Sequence, residues 1–288
     1  MRISLLTPPS PNAEPWYPAM ESKGIKVDFN SVHPDCDFIV STMPTGYMHL
    51  LEIFHNTFPD KPIIIYLWDL YKTIWTPPFR NDWKKHIEYL KKAEEIWCPS
   101  NEVIKRVAEE GVDPKKCKLI KTWARFFDYK EEEIVDKGYI LQPMRPYPND
   151  KNFGWLKQAC NELEIPLIEP NHSLTEDAFR KVIAECTFMC TEYHEASTGG
   201  LTLLEGYKLG KPVVISDSEY MGAQDYFENK AIYFNDNDYE DFKRVIKETW
   251  NNTPKLNLKE CEKFCNSHPS VSDMVDKMIE RLEHIKNQ

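Results

Sequence analysis

Short apolar, β-branched runs recur along the chain at intervals that leave room for a helix between neighbours. RISLLT, KVDFN, DFIVST, PIIIYLW, EIWCPS and CKLIKT come first, then YILQPM, PLIEP, TFMCTEY, KPVVISD and AIYF. Such runs suit strands buried on both faces. Between several of them lie amphipathic segments such as NFGWLKQACNELE, TEDAFRKVIAEC and LTLLEGYKLG. Parallel strands need a crossover, usually a helix, so this alternation predicts an α/β fold with parallel sheets. The series is interrupted by the charged, glycine-ended YKEEEIVDKG at 129–138, which reads as a linker, and then restarts. Two domains are expected, at 1–132 and 138–270, followed by a helix over 271–288. In that helix Val271, Met274, Val275, Met278, Ile279 and Leu282 form one apolar stripe behind a Ser270 cap. The stripe needs a core to cover, on its own domain or on the first.

The 288 residues are 41% hydrophobic and 12% aromatic, enough to build real cores. No apolar run approaches the roughly 20 residues of a membrane-spanning helix, and MRISLLTPPS lacks the features of a signal peptide. A soluble, cytoplasmic protein without a transmembrane segment is expected. Eight cysteines are scattered at 36, 98, 117, 160, 186, 190, 261 and 265, several in apolar segments, which favours reduced thiols over a disulfide framework. Cys186/Cys190 sit in a strand-like run and Cys261/Cys265 in a helix-like one, so their matching spacing does not read as a zinc site.

A net charge of −10 argues against a general nucleic-acid binder, but the charge is uneven. The first 130 residues are close to neutral and contain Trp16, Trp68, Trp75, Trp83, Trp97 and Trp123. Most tryptophans go to cores, yet such a half also suits an aromatic-lined surface for a sugar or a base. Over 72–125 basic residues outnumber acidic ones and alternate with Trp75, Phe79, Trp83 and Trp97. This is either a wet helical face or a strip suited to DNA.

HEASTGGLTLLEGYKLGKPVVIS, residues 194–216, places a glycine-bearing turn and a helix with a single glutamate between two strands. The start of such a helix offers unpaired N–H groups and a partial positive charge, and Gly199 and Gly200 let a phosphate approach closely. Arg145 and Lys151 add the positive charge that a departing diphosphate requires. The stretch resembles glycosyltransferase family 4 of the GT-B fold, in which a Glu, seven residues and a second Glu precede Gly, Pro and a valine-rich strand. AEEIWCPSNEVIKRVAEEGVDPKKCKLI and YILQPMRPYPNDKNFGWLKQA are similar to the segments that close the family's first domain and open its second.

The resemblance spans roughly residues 60–250. It implies two Rossmann-like domains facing a central cleft, and retaining transfer of a sugar from a nucleoside diphosphate, foremost a UDP-sugar, to an acceptor hydroxyl. No cofactor and no essential metal are implied. Donor contacts fall on Arg145, Lys151, Ser197, Thr198, Gly199, Gly200, Leu201 and Thr202, with Glu205 on the ribose hydroxyls. Two departures bear on the mechanism. Ser197 stands where the first Glu belongs, so Glu195 or His194 is expected to meet the donor sugar. Trp68 stands where the family has a histidine and Asp69 is retained, which gives Asp69 a catalytic role and Trp68, Tyr71 and Trp75 the acceptor side. TPPSPNAEP replaces the family's glycine-rich turn. The acceptor is a saccharide, free or lipid-linked, or a hydroxylated or glycosylated base in viral DNA. The remaining alternative is an inactive protein that binds a nucleotide or a partner. Asp-x-Asp in NDNDYED (235–241) reads as a solvated turn rather than a metal ligand set, and His172 as a loop residue.

Overall fold

In a computed structural model, residues 1–7, 15–42, 49–68, 83–124, 126, 129–143, 150–170, 174–194 and 200–288 are described, less the side chains of 49–52, 83 and 131. The chain divides into one compact unit of Met1–Trp123 with Pro269–Gln288 and another of Ala124–His268.

The first unit holds a six-stranded parallel sheet of β1 (Arg2–Leu6), β2 (Lys26–Phe29), β3 (Phe38–Ser41), β4 (Ile63–Tyr66), β5 (Glu95–Cys98) and β6 (Cys117–Leu119), in the order β2-β1-β3-β4-β5-β6. Register is set by apolar partners such as Ile3 with Val27 and Phe38, and Ile65 with Ile96. Every residue of β3, β4 and β5 is buried, as strands covered on both faces require. Helices α1 (Trp16–Ser22), α2 (His49–Thr57), α3 (Trp83–Lys92) and α4 (Asn101–Glu109) connect them, α4 opening on Ser100, whose side chain accepts from the Val103 N–H.

The second unit repeats the design with β7 (Ile140–Leu141), α5 (Trp155–Glu162), β8 (Leu167–Ile168), α6 (Glu176–Glu185), β9 (Phe188–Cys190), α7 (Gly200–Lys208), β10 (Val213–Ser216), α8 (Gln224–Phe227), β11 (Ile232–Phe234), α9 (Tyr239–Asn251) and α10 (Leu258–Asn266). Its sheet order is β11-β10-β9-β7-β8, all parallel. Segment 129–138, expected as a linker, is held to this unit. The Val135 and Lys137 amides donate to the Ala184 and Glu185 carbonyls, and Lys211 Nζ to the Val135 carbonyl.

The last helix, α11 (Val271–Lys286), resolves the choice left open by the sequence. It opens on a capping box of Ser270 and Asp273, and its Met274, Val275, Met278 and Leu282 join Ile3, Leu5, Trp16 and Met20 in one core of the first unit. Lys23–Asp276, Arg281–Glu95 and Lys286–Asp37 ion pairs edge that contact. All eight cysteines are buried with free thiols. Among the described residues no helix is long and apolar enough to cross a membrane.

Candidate functional site

In a doubly wound sheet, ligands collect at the carboxyl ends of the strands, where the order reverses and the connections diverge to opposite faces. In the second unit that point lies between β7 and β9. The described residues leaving the strands there are Gln142 after β7, Thr191 to His194 after β9, Asp217 to Tyr220 after β10 and Asn235 to Asn237 after β11.

Among the helix entrances on this edge are those of α5 and α7. At α5, reached through Gly154 with φ of +90°, the buried Glu192 carboxylate accepts from the Gly154 N–H at 2.8 Å and from the Leu156 N–H. The side chain thus fills the place where an external anion would bind. Burial pushes the Glu192 carboxyl up to about 7 against the pull of those amides and of Gln142. Helix α7 starts at Gly200. A side chain at Gly200 would meet the Tyr226 ring at 3.3 Å, so packing calls for glycine here. Further along, Gly206 lets α7 lie against Met189 of β9.

Lys151 and His194, singled out separately in the sequence, converge on Asp236. The Lys151 ammonium lies 2.9 Å from Asp236 Oδ2 and donates to Asn237 Oδ1 at 2.9 Å. His194 Nδ1 is bonded to the same Oδ2 and lies 2.9 Å from Ser218 Oγ, while its backbone N–H donates to Asp150 Oδ1 at 3.1 Å. The Tyr220 ring stands edge-on to the imidazole. Burial works to raise the Asp236 carboxyl, but the hydrogen bonds from Lys151 and His194 outweigh it and hold the group below the usual carboxylate range. Asp150 goes the other way, raised by burial despite its bonds from the Asn152 and His194 amides.

Asp236 corrects the expectation of a solvated turn at 235–241. Asp238 and Asp241 do serve the surface, capping α9 and pairing with Arg244, whereas the Asp236 side chain is 6% exposed at the center of an ion-pair cluster. Its position directly after strand AIYF, at a carboxyl end, is the sequence signal that marks it. Glu192, at the end of TFMCTEY, carries the same signal. Asp150 and Ser218 carry none, because their roles depend on which residue folds beside them.

Glu205 lies half-buried on α7, near enough to Tyr129 that its carboxylate helps burial raise the phenol. Leu201 and Thr202 are half-buried in the first turn, Leu201 against the core that contains Leu203 and Leu204. Trp68, half-buried just past β4, stacks one face on Trp16 with ring centroids 5.5 Å apart and meets Tyr66 edge-on. Asp69, Tyr71, Trp75, Arg145, His172, Glu195, Ser197, Thr198 and Gly199 lie outside the described residues. In the basic aromatic strip, Trp97 is fully buried and donates to Glu95, and Lys116 and Lys118 are spent on backbone carbonyls. Among the described residues no group of three or more His, Cys, Asp or Glu side chains is placed to hold a metal ion.

No protein-family model and no curated protein matches the chain. Solved structures do match. It is similar to the sucrose-phosphate synthase of Thermosynechococcus elongatus with a TM-score of 0.71 at 10% identity, over 100% of this chain and 99% of that one. It is similar to HepE of Anabaena, solved in complex with UDP and glucose, with a TM-score of 0.67 at 11% identity over 98% and 99%. The lipopolysaccharide outer core galactosyltransferase WaaB gives 0.64 at 12% identity over 99% and 100%. At these identities the likeness is one of fold. The chain has the GT-B fold of these glycosyltransferases, with two parallel α/β sheets, as its resemblance implied.

Proposed function

We propose that the protein is a retaining, metal-independent glycosyltransferase that moves a sugar from a UDP-sugar to a hydroxyl of a saccharide or glycan. The observation that carries this reading is the meeting of Lys151 and His194, which follow the β7 and β9 strands that flank the switch point, on Asp236 at the carboxyl end of β11. The start of α7 follows six residues after His194. Support also comes from the UDP-bound state of HepE, a protein of the same fold.

In this reading Lys151, Arg145 and the α7 amides neutralise the diphosphate as its bond to the sugar breaks, and Glu205 holds the ribose hydroxyls. The acceptor oxygen bonds to the anomeric carbon on the face the diphosphate leaves, and its proton passes to the departing phosphate oxygen. A catalytic histidine at position 68 is then unnecessary. Trp68, Tyr71, Trp75 and Asp69 are assigned to the acceptor, and Glu195 and His194 to the donor sugar.

Isothermal titration with UDP, GDP and their hexose conjugates tests the donor. UDP binds, and Lys151→Ala and Glu205→Ala each weaken it about tenfold, the loss of one charge-assisted contact at 1.4 kcal/mol per decade. Donor hydrolysis without acceptor then separates an enzyme from a binding module. Incubation with saccharide acceptors and with hydroxymethylated DNA, read by mass spectrometry, separates the acceptors, and a mass shift on DNA alone would overturn the saccharide reading.

A further inference from the structure

Two basic side chains meet one oxygen of Asp236. Lys151 and His194 Nδ1 both meet its Oδ2, while Oδ1 accepts from the Asn237 amide at 2.7 Å and the Asp236 N–H donates to Asp217 at 3.0 Å. The carboxylate is therefore fixed and buried. Its lysine partner is not, for the Lys151 side chain is 42% exposed and ends a flexible stem. His194 is pinned through Nδ1 by Asp236 and Ser218, and its Nε2 has no partner among the described residues. Among the described residues the other charged groups of this cluster are Asp150 and Lys151, both from the turn ahead of α5, with the Tyr220 ring across from the imidazole.

We infer that Asp236 is a positioning residue that exchanges cations: when Lys151 turns to the donor diphosphate, His194 takes a proton from solvent and replaces it on the carboxylate. A buried carboxylate left without a cation is costly, and the imidazole already bonded to it is able to become one. The charges balance. Before the exchange the cluster holds Lys151 positive, Asp236 negative and His194 neutral. Afterwards it holds Asp236 negative and His194 positive, with Lys151 on the phosphate. With Nδ1–H held by Asp236, the exchange turns Nε2 from an acceptor into a donor, adding a second positive group beside the anion. This rests on the reading that Lys151 binds the donor diphosphate.

Long-range proton–nitrogen spectra of the full chain labelled with nitrogen-15 histidine report the protonated fraction of His194, its signal assigned by loss in His194→Gln. In the ligand-free protein at pH 7, Lys151→Ala is expected to raise the ratio of protonated to neutral His194 several-fold. Asp236→Asn lowers that ratio, and in the double variant Lys151→Ala no longer raises it. UDP added to the wild type moves the signal in the same direction as Lys151→Ala. An unchanged ratio in Lys151→Ala overturns the inference, and this exposed replacement keeps that arm intact even if Asp236→Asn fails to fold. UDP binding, seen by calorimetry, without a change at His194 also overturns it. A response to Lys151→Ala with no UDP binding would leave the exchange standing and remove the nucleotide reading instead.

Discussion

Glu192 closes the entrance of α5 with a carboxylate of the chain itself. Its carboxylate occupies the first turn of α5, and burial there raises its pKa from 4.5 to about 7. Between those values the folded chain keeps a proton that the unfolded chain releases. The contribution of this group is therefore fully present below pH 4.5 and is lost as pH rises through 7, on the order of 3 kcal/mol in all. Glu192→Gln, neutral at every pH, is expected to flatten the dependence of unfolding free energy on pH between 4.5 and 7, as measured by urea titration at several pH values. An unaltered slope would mean that the carboxylate is ionised throughout. The sequence shows a glutamate at the end of a strand. It does not show that the glutamate faces the start of a helix 36 residues earlier.

For α7 the sequence is informative and the structure adds the reason for its glycines. The expected order of strand, helix and strand is present, because apolar periodicity and glycine placement act locally. Gly206, however, is required by a neighbour on β9. A Cβ there would come within 2.6 Å of the Met189 sulfur. Gly206→Ala should cost about 1–3 kcal/mol in chemical denaturation, the usual penalty of an overpacked core. Met189→Val, which removes that sulfur and its methyl group, should recover part of the loss when combined with it. A loss that is simply additive in the double variant would place the strain elsewhere.

The molecule as a whole is discontinuous in sequence. Pro269–Gln288 belongs with Met1–Trp123, although it follows the entire second unit. Without α11, the Trp16 and Met20 face of the first core would meet water. A chain ending at His268 is expected to lose hydrogen-exchange protection in peptides from 1–123 while peptides from 138–266 keep theirs. Equal loss in both units would show that the helix stabilises more than its own core.

Period and punctuation along the chain settled the α/β class, the two sheets, helix α7 and the capped last helix, since each depends on residues a few positions apart. Lys151 and His194 were singled out in the sequence, one as a cation after a strand and the other ahead of two glycines. Their shared partner was not. Lys151 and Asn237 are 86 positions apart, and His194 and Asp236 are 42. Only the packing of β7, β9 and β11 into one sheet brings those strand ends together, and with them a carboxylate whose burial changes its chemistry. Likewise, amphipathic spacing showed that the last helix must cover a core, while tertiary packing alone decided that the core is the first one.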